Sequence, residues 1–320
     1  CAPVFQCSAL RKEGQSSFLM SAVSARAMDQ QTTVFWSRGA PLVFLILWSS
    51  GFVFLKMGLA YAEPLSFLAL RYALVVAVLL PVLLWVRPTW PQQARQWAHL
   101  AVVGVLLQAG YFSFTYLSLH HQMSAGGIAL ITSQQPILVG LLAPLVSSER
   151  VSAGRWAGLI LGVAGALMVI VARPLGGEGV GALGVLYAIL ALMVITASTL
   201  WEKRFGTESH PVVANLVQYA IGFVVVLPLA LWLEDGDIQW HAPGLWLSLA
   251  YLVVCNSIVA ITLLLAMIRR GEVSRVSALF FLVPPGTALI ALVLLAEELP
   301  LLGWTGIAVA TVGIFLAMRY

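Results

Sequence analysis

Charge is scarce in this chain. Asp, Glu, Lys and Arg make up 9% of its 320 residues, while 61% are hydrophobic. Soluble domains carry about 25% charged residues, so a soluble globular fold is excluded. Cysteine is also rare: Cys1, Cys7 and Cys255 have no metal-binding spacing and form no disulfide framework. Cys255, alone in an apolar run, reads as a small buried residue. Walker A, HExxH and Cys/His cluster motifs are missing, so neither direct ATP drive nor zinc chemistry is indicated. The glycine-rich GEGVGALG (177–184) has no strand before it and is no dinucleotide fingerprint. No cofactor is expected. The net charge of +4 sits on a few loops without interleaved aromatics, so no nucleic-acid partner is expected either.

Long apolar runs dominate instead, with a mean hydropathy of +0.96. A run of about 20 residues crosses a hydrocarbon core as a helix. Only helices and closed barrels satisfy their backbone there, and the chain lacks the period-2 alternation of a barrel. The expected class is therefore an all-α membrane protein with ten transmembrane helices. The spans are 40–59, 65–86, 97–119, 123–146, 151–172, 181–201, 211–233, 244–268, 273–296 and 299–318. Residues 1–39 are mixed in composition and lack a signal-peptide h-region. This segment is expected to be disordered or non-native, with Met28 an alternative start.

The chain repeats itself at a nearly constant offset. Pro136, Glu149, Trp156, Gly158 and Gly165 match Pro284, Glu297, Trp304, Gly306 and Gly313. Pro64, Tyr72, Ala73 and Pro81 match Pro211, Tyr219, Ala220 and Pro228, and Lys56 matches Lys203. The units are 40–172 and 181–320, of five helices each. An odd helix number forces the second copy to cross in the opposite sense. Inverted repeats are a common plan of secondary transporters, with the site near the midplane at the repeat interface. Arg38, Arg87, Arg95, Arg150, Arg155, Lys203, Arg204, Arg269, Arg270, Arg275 and Arg319 fall on the side of the N-terminus, and Arg173 alone on the other. The positive-inside rule then places both termini in the cytoplasm, and a bacterial inner membrane is the expected location.

The segments WSSGFVFLKMGL (48–59), PLSFLALRYAL (64–74) and SSERVSAGRWAGLILGVAGALM (147–168), with the Ala- and Pro-rich fourth helix between the last two, resemble the EamA group of the drug/metabolite transporter superfamily. The resemblance covers about 40–318. It implies a ten-helix exporter of small metabolites, often amino acids, without fixing the substrate.

Intramembrane charge marks the candidate site. Lys56 and Arg71 lie inside the first two helices, and a charge there is a functional hypothesis by default. Two cations at one lumen suit a carboxylate or phosphate; snorkelling to the headgroups is the competing reading. No acid lies within any span. The resemblance makes that gap informative, since small multidrug exporters of the superfamily use a first-helix carboxylate to hold cations and exchange protons. An anionic or zwitterionic small-molecule substrate fits better. Proton coupling would need Glu63, His120 or His121 near the outer mouth.

Polar residues gather at mid-depth: Gln108 and its counterpart Asn256, and Thr132, Ser133, Gln134 and Gln135. Each either contacts substrate or bonds a neighbouring helix. Trp48, too deep for an interfacial belt, with Tyr72, Tyr111 and Tyr116, joins the candidate lining. Pro136, Pro284 and Pro285 are expected to break helices at equal depth and serve as hinges. Gly158, Gly162 and Gly165, repeated as Gly306, Ala310 and Gly313, form a small-residue face for close helix packing or a homodimer contact. The leading expectation is a transporter working by alternating access. A flippase for lipid-linked substrates and a non-transporting scaffold remain open, and an enzyme is not expected.

Overall fold

The computed structural model describes residues 39–146, 153–172, 181–206, 209–269, 280 and 282–319. Residues 1–38 lie outside the described residues, as do Glu149, Arg150, Arg173, Arg270 and Arg275.

Helix starts follow from proline. Its missing N–H costs nothing in the first turn, and Pro41, Pro64, Pro211 and Pro243 sit there in α1 (Ala40–Gly58), α2 (Pro64–Val86), α9 (Pro211–Leu233) and α10 (Pro243–Ala250). Other starts are capped by side chains. A Gln93–Gln96 capping box opens α3 (Ala94–Val103). Ser124 accepts the Gly127 N–H at 3.0 Å to open α5 (Ala125–Thr132). The Glu234 carboxylate accepts the Leu65 and Ser66 N–H groups at 2.7 Å, capping α2 from across the sequence.

A first π segment, Gly104–Tyr111, joins α3 to α4 (Phe112–His120), and a second, Tyr251–Ala260, joins α10 to α11 (Ile261–Arg269). The order is completed by α6 (Gln135–Val146), α7 (Ala153–Val171), α8 (Ala182–Phe205), α12 (Val283–Leu295) and α13 (Leu301–Arg319). No strand occurs among the described residues. Among the described residues seven helical spans are long and apolar enough to cross a membrane, and Trp156–Val171, Val283–Leu295 and Leu301–Leu316 are shorter apolar helices. Three features differ from the sequence expectation. The expected span 123–146 is two helices, α5 and α6. Pro136 lies in the first turn of α6, and Pro284 and Pro285 in that of α12, so they open helices instead of kinking them in the middle. The π segments were not foreseen.

Packing follows the repeat. Counterparts α7 and α13 form the most extensive interface, and counterparts α2 and α9 the next. The contact of α1 with α12 is mirrored by those of α8 with α5 and α6. Tyr72 and its counterpart Tyr219 meet edge-on at 5.5 Å between ring centres. The outer surface is apolar, with Trp85 at the end of α2 87% exposed and its counterpart Trp232 at the end of α9 81% exposed. Tryptophan at helix ends suits both membrane interfaces.

Glycine sets the α7–α13 distance. A Cβ on Gly165 would stand 2.4 Å from the Gly306 carbonyl oxygen, and one on Gly306 would stand 2.6 Å from that of Gly165. Gly313 lies as tightly against Gly158, and Gly162 against the Gln134 side chain. These glycines of the small-residue face pack within the chain. Gly165→Ala and Gly306→Ala should each cost about 1–3 kcal/mol, the usual range for overpacking. Gly181→Ala, where the methyl meets only one atom at 3.5 Å, is the control. Thermal unfolding in detergent reads the difference. Midpoints equal to the control would mean that the two helices do not approach this closely.

Candidate functional site

The break between α5 and α6 opens the centre of the molecule. Thr132 and Ser133 turn their hydroxyls back to the carbonyls of Ile128 and Leu130, at 2.8 and 2.7 Å. Pro136 has no N–H to continue the ladder. The result is a cavity of about 330 Å³ beside the break. Trp48 and Phe52 of α1, Tyr111 of the first π segment, and Ala129, Thr132 and Ser133 form much of its wall. Gln135, Pro136 and Val139 of α6, Ile195 and Thr199 of α8, Phe280 and Val283 complete it. Among the described residues no charged side chain lines it. Its polar side is held by Gln135, whose Nε2 donates to Thr199 Oγ1. Trp48 is fixed edge-on to Phe280, with ring centres 5.9 Å apart.

A smaller chamber adjoins this cavity and shares Trp48, Phe52 and Tyr111 with it. Its far wall contains Arg71, Phe112, Thr115 and Asn256. Arg71 is 1% exposed. Its NH1 donates to Tyr116 Oη at 3.1 Å, and its NH2 to Asn256 Oδ1 at 3.2 Å and Ser257 Oγ at 2.9 Å. The guanidinium carbon lies 5.0 Å from the centre of the Phe112 ring, within range of a cation–π contact. Its Nε has no partner. Among the described residues no carboxylate pairs with it. A buried cation held only by neutral oxygens keeps its charge available to an incoming anion.

The candidates from sequence divide accordingly. Trp48, Tyr111, Gln135 and Pro136 line the large cavity, and Arg71 and Asn256 the small one. Three others sit elsewhere because depth along a helix does not give rotation about it. Tyr72 is fully buried and donates to the Gln108 carbonyl at 2.6 Å. The Gln108 side chain is 3% exposed, and its Oε1 is unpartnered. Gln134 faces Gly162 of α7. Lys56 is at neither chamber; it pairs with Glu297. Pro284 and Pro285 open α12 near the cavity without lining it. The Glu63 carboxylate accepts the Gly236 and Asp237 N–H groups at 2.8 and 3.1 Å, so it serves as a loop anchor. His120 and His121 pack edge-on at the same end.

Phe52, Ile195 and Thr199 escaped the sequence reading, although a signal existed. Ile195 and Thr199 are the repeat counterparts of Trp48 and Phe52, so the candidate Trp48 pointed to its mate. A pair between His99 and Glu202, 3.0 Å apart, was also missed.

Comparison with known proteins bears on both halves. The model of the EamA-like transporter family matches residues 37–171 and again 182–319. An uncharacterized transporter of Bacillus subtilis, YvbV, is 30% identical over 81% of this chain and 84% of its own length. Proteins named "Probable amino-acid metabolite efflux pump" from Salmonella typhimurium and Escherichia coli are 28% and 26% identical, each over 86% of this chain and 92% of theirs. A solved crystal structure shares the fold, with a TM-score of 0.59 at 20% identity over 88% of this chain and 95% of that one.

The Arg71 geometry makes a prediction about stability. Arg71→Met removes a buried cation, whose placement in a membrane costs about 2.5–3.5 kcal/mol, and leaves only neutral groups behind. Its unfolding free energy should change by less than about 1 kcal/mol. A loss above about 3 kcal/mol, the size expected when a buried ion pair is broken, would mark Arg71 as structural.

Proposed function

The chain belongs to the EamA-like transporter family, and on that footing we propose that it is a secondary transporter exporting a small carboxylate-bearing metabolite, an amino acid or a related zwitterion or anion. Arg71 carries this reading: a guanidinium that is 1% exposed and has no acid among the described residues to balance it, at the edge of a mid-depth chamber. A substrate carboxylate approaching past Trp48 and Tyr111 comes to the Arg71 guanidinium, whose Nε has no partner among the described residues. The remaining body of the solute lies in the larger cavity against Phe52, Phe280 and Val139, with Gln135 and Thr199 as its polar contacts. A cavity of about 330 Å³ suits an amino-acid-sized solute, at the small end of ligand pockets. The relatives named as amino-acid metabolite efflux pumps support the same substrate class.

The seven long spans and three shorter apolar helices are read as ten crossings in two inverted five-helix repeats. Support comes from the packing, in which α7 pairs with its counterpart α13, α2 with its counterpart α9, and the α1–α12 contact is matched by those of α8 with α5 and α6. Among the described residues Arg87, Arg95, Lys203 and Arg204 gather at one end, and Glu63, Glu234, Asp235, Asp237, Glu297 and Glu298 at the other. By the positive-inside rule the basic end faces the cytoplasm, and the acidic end the outside of a bacterial inner membrane. Alternating access is then a rocking of the two repeats about the central cavity. The break between α5 and α6 and the two π segments are the places where the backbone can yield.

Counterflow into liposomes holding the purified protein, with labelled amino acids, organic acids and quaternary amines, tests the reading. Uptake of a carboxylate-bearing solute is expected. It should fall about tenfold or more in Arg71→Ala, as for loss of a hydrogen bond to a charged group, and less in Gln135→Ala. Uptake of quaternary amines alone, or of nothing, would overturn the assignment.

A further inference from the structure

Lys56 is distinctive for its position on the cavity-facing stripe of α1. Trp48 and Phe52 line the large cavity, and Lys56 follows at the same spacing of four, on the same helix face. On the opposite wall Ala129 lines the cavity, and Ala125 lies one turn beyond it. Glu297 closes the gap between these two positions. Its Oε1 takes the Lys56 ammonium, and its Oε2 accepts the Ala125 N–H at 3.3 Å. The ammonium also reaches the Met123 carbonyl at 3.4 Å. Three elements are thus tied together at the acidic end: α1, the start of α5 and the turn after α12.

Beneath the ion pair the same three elements form a plug of Val53, Ala125 and Ala291, none more than 1% exposed, packed against Phe52, Ile290 and Leu295. Glu297 is held in place by its turn. Ala296 takes a left-handed conformation at φ 50°, and the Glu297 N–H returns to the Ala291 carbonyl at 3.2 Å, ending α12 tightly. At the other end of the cavity α8 repeats the stripe as Ile195, Thr199 and Lys203, the counterparts of Trp48, Phe52 and Lys56.

We infer that Lys56 and Glu297 are the latch of the gate at the acidic end. The pair and its apolar plug close the cavity on that side in the conformation seen here, and they separate when the cavity opens there. Lys56 is therefore a gating residue that acts across the repeat boundary. The inference rests on the alternating-access reading above, but its test needs no substrate.

The test starts from a chain in which Cys1, Cys7 and Cys255 are serine and Ala129 is replaced, Ala129→Cys, to report on the cavity wall. A membrane-impermeant maleimide is applied to sealed vesicles from the acidic side, and the labelling rate is measured. Glu297→Gln and, separately, Lys56→Gln should raise the rate about tenfold, as expected when one partner of a part-buried pair is removed. The exchange Lys56→Glu with Glu297→Lys should return it towards the parent value. A second arm guards against misfolded variants. Lys56→Cys with Glu297→Cys, oxidised to a disulfide, should suppress labelling at Ala129→Cys below the parent rate, and reduction should restore it. Rates unchanged by both neutralising variants and by the disulfide would overturn the latch, whether or not the protein transports a carboxylate. Loss of counterflow with an intact latch would instead count against the substrate reading alone.

Discussion

A guanidinium placed deep in a membrane protein, without a counter-ion among the described residues, constrains everything near it. Every N–H of Arg71 that is paired ends on a neutral oxygen, and those oxygens come from α4 and the second π segment. One donor therefore ties α2 to both halves of the chain. Asn256 and Ser257 are adjacent in sequence, yet both accept from the same nitrogen. In a regular α-helix neighbouring side chains diverge. The looser turn of the π segment brings the two together, and π-bulges tend to mark functional positions. The first π segment, at the equivalent place in the other half, carries Gln108. Its main-chain carbonyl accepts from Tyr72 and its side-chain oxygen is unpartnered. The two halves thus share a backbone device but use it differently: one arranges acceptors around a cation, the other seats a tyrosine at the repeat interface.

Sequence alone was informative wherever the signal was one-dimensional. Matching prolines, glycines and aromatics pointed to the repeat; the matched Tyr72 and Tyr219 then met in space, while the matched glycines met crosswise, Gly165 on Gly306 and Gly158 on Gly313. The α7–α13 contact was legible as a small-residue face because close approach demands small residues. Rotation about the helix axis was not legible. Helices that are apolar on all sides carry no stripe to say which face looks inward, so Tyr72 and Gln134 were grouped with Tyr111 and Gln135 on depth alone. Glu297 was taken for a loop marker, and its partner Lys56 is 241 residues away. No local pattern could connect the two.

The prolines show how the same residue can be read two ways. Within a continuous apolar run Pro136 and Pro284 look like interruptions, because proline removes a helical hydrogen bond. In the fold each sits in the first turn of a helix, where no donor is required. The break belongs to the residues before them. At Ser133 and Gln134 the chain leaves α5 and begins α6, and the Ser133 hydroxyl and the Gln134 Nε2 satisfy the Leu130 carbonyl that the interrupted ladder would leave bare. Irregular backbone at membrane depth is tolerated where it lines a cavity, and this break does so. The cavity is thus a consequence of the interruption, and Gln135, the first residue after it, is placed to bond α8 across the opening.

Near-symmetry in sequence bears on energetics. The stripes Trp48–Phe52–Lys56 and Ile195–Thr199–Lys203 are counterparts, and Lys56 is engaged by Glu297 at one end of the cavity. On the alternating-access reading proposed above, two halves joined through counterpart helices would have two arrangements of similar energy available, related by exchanging their roles. Little is then needed to choose between them: a shift from equal populations to about ten to one takes about 1.4 kcal/mol. A part-buried ion pair resting on an apolar plug is large enough to supply that bias and weak enough to be given up. A ligand can reverse the choice only through its differential affinity for the two arrangements. Arg71 sits between the halves and draws its acceptors from both, so an anion that binds there acts on the interface that the change of state must rearrange.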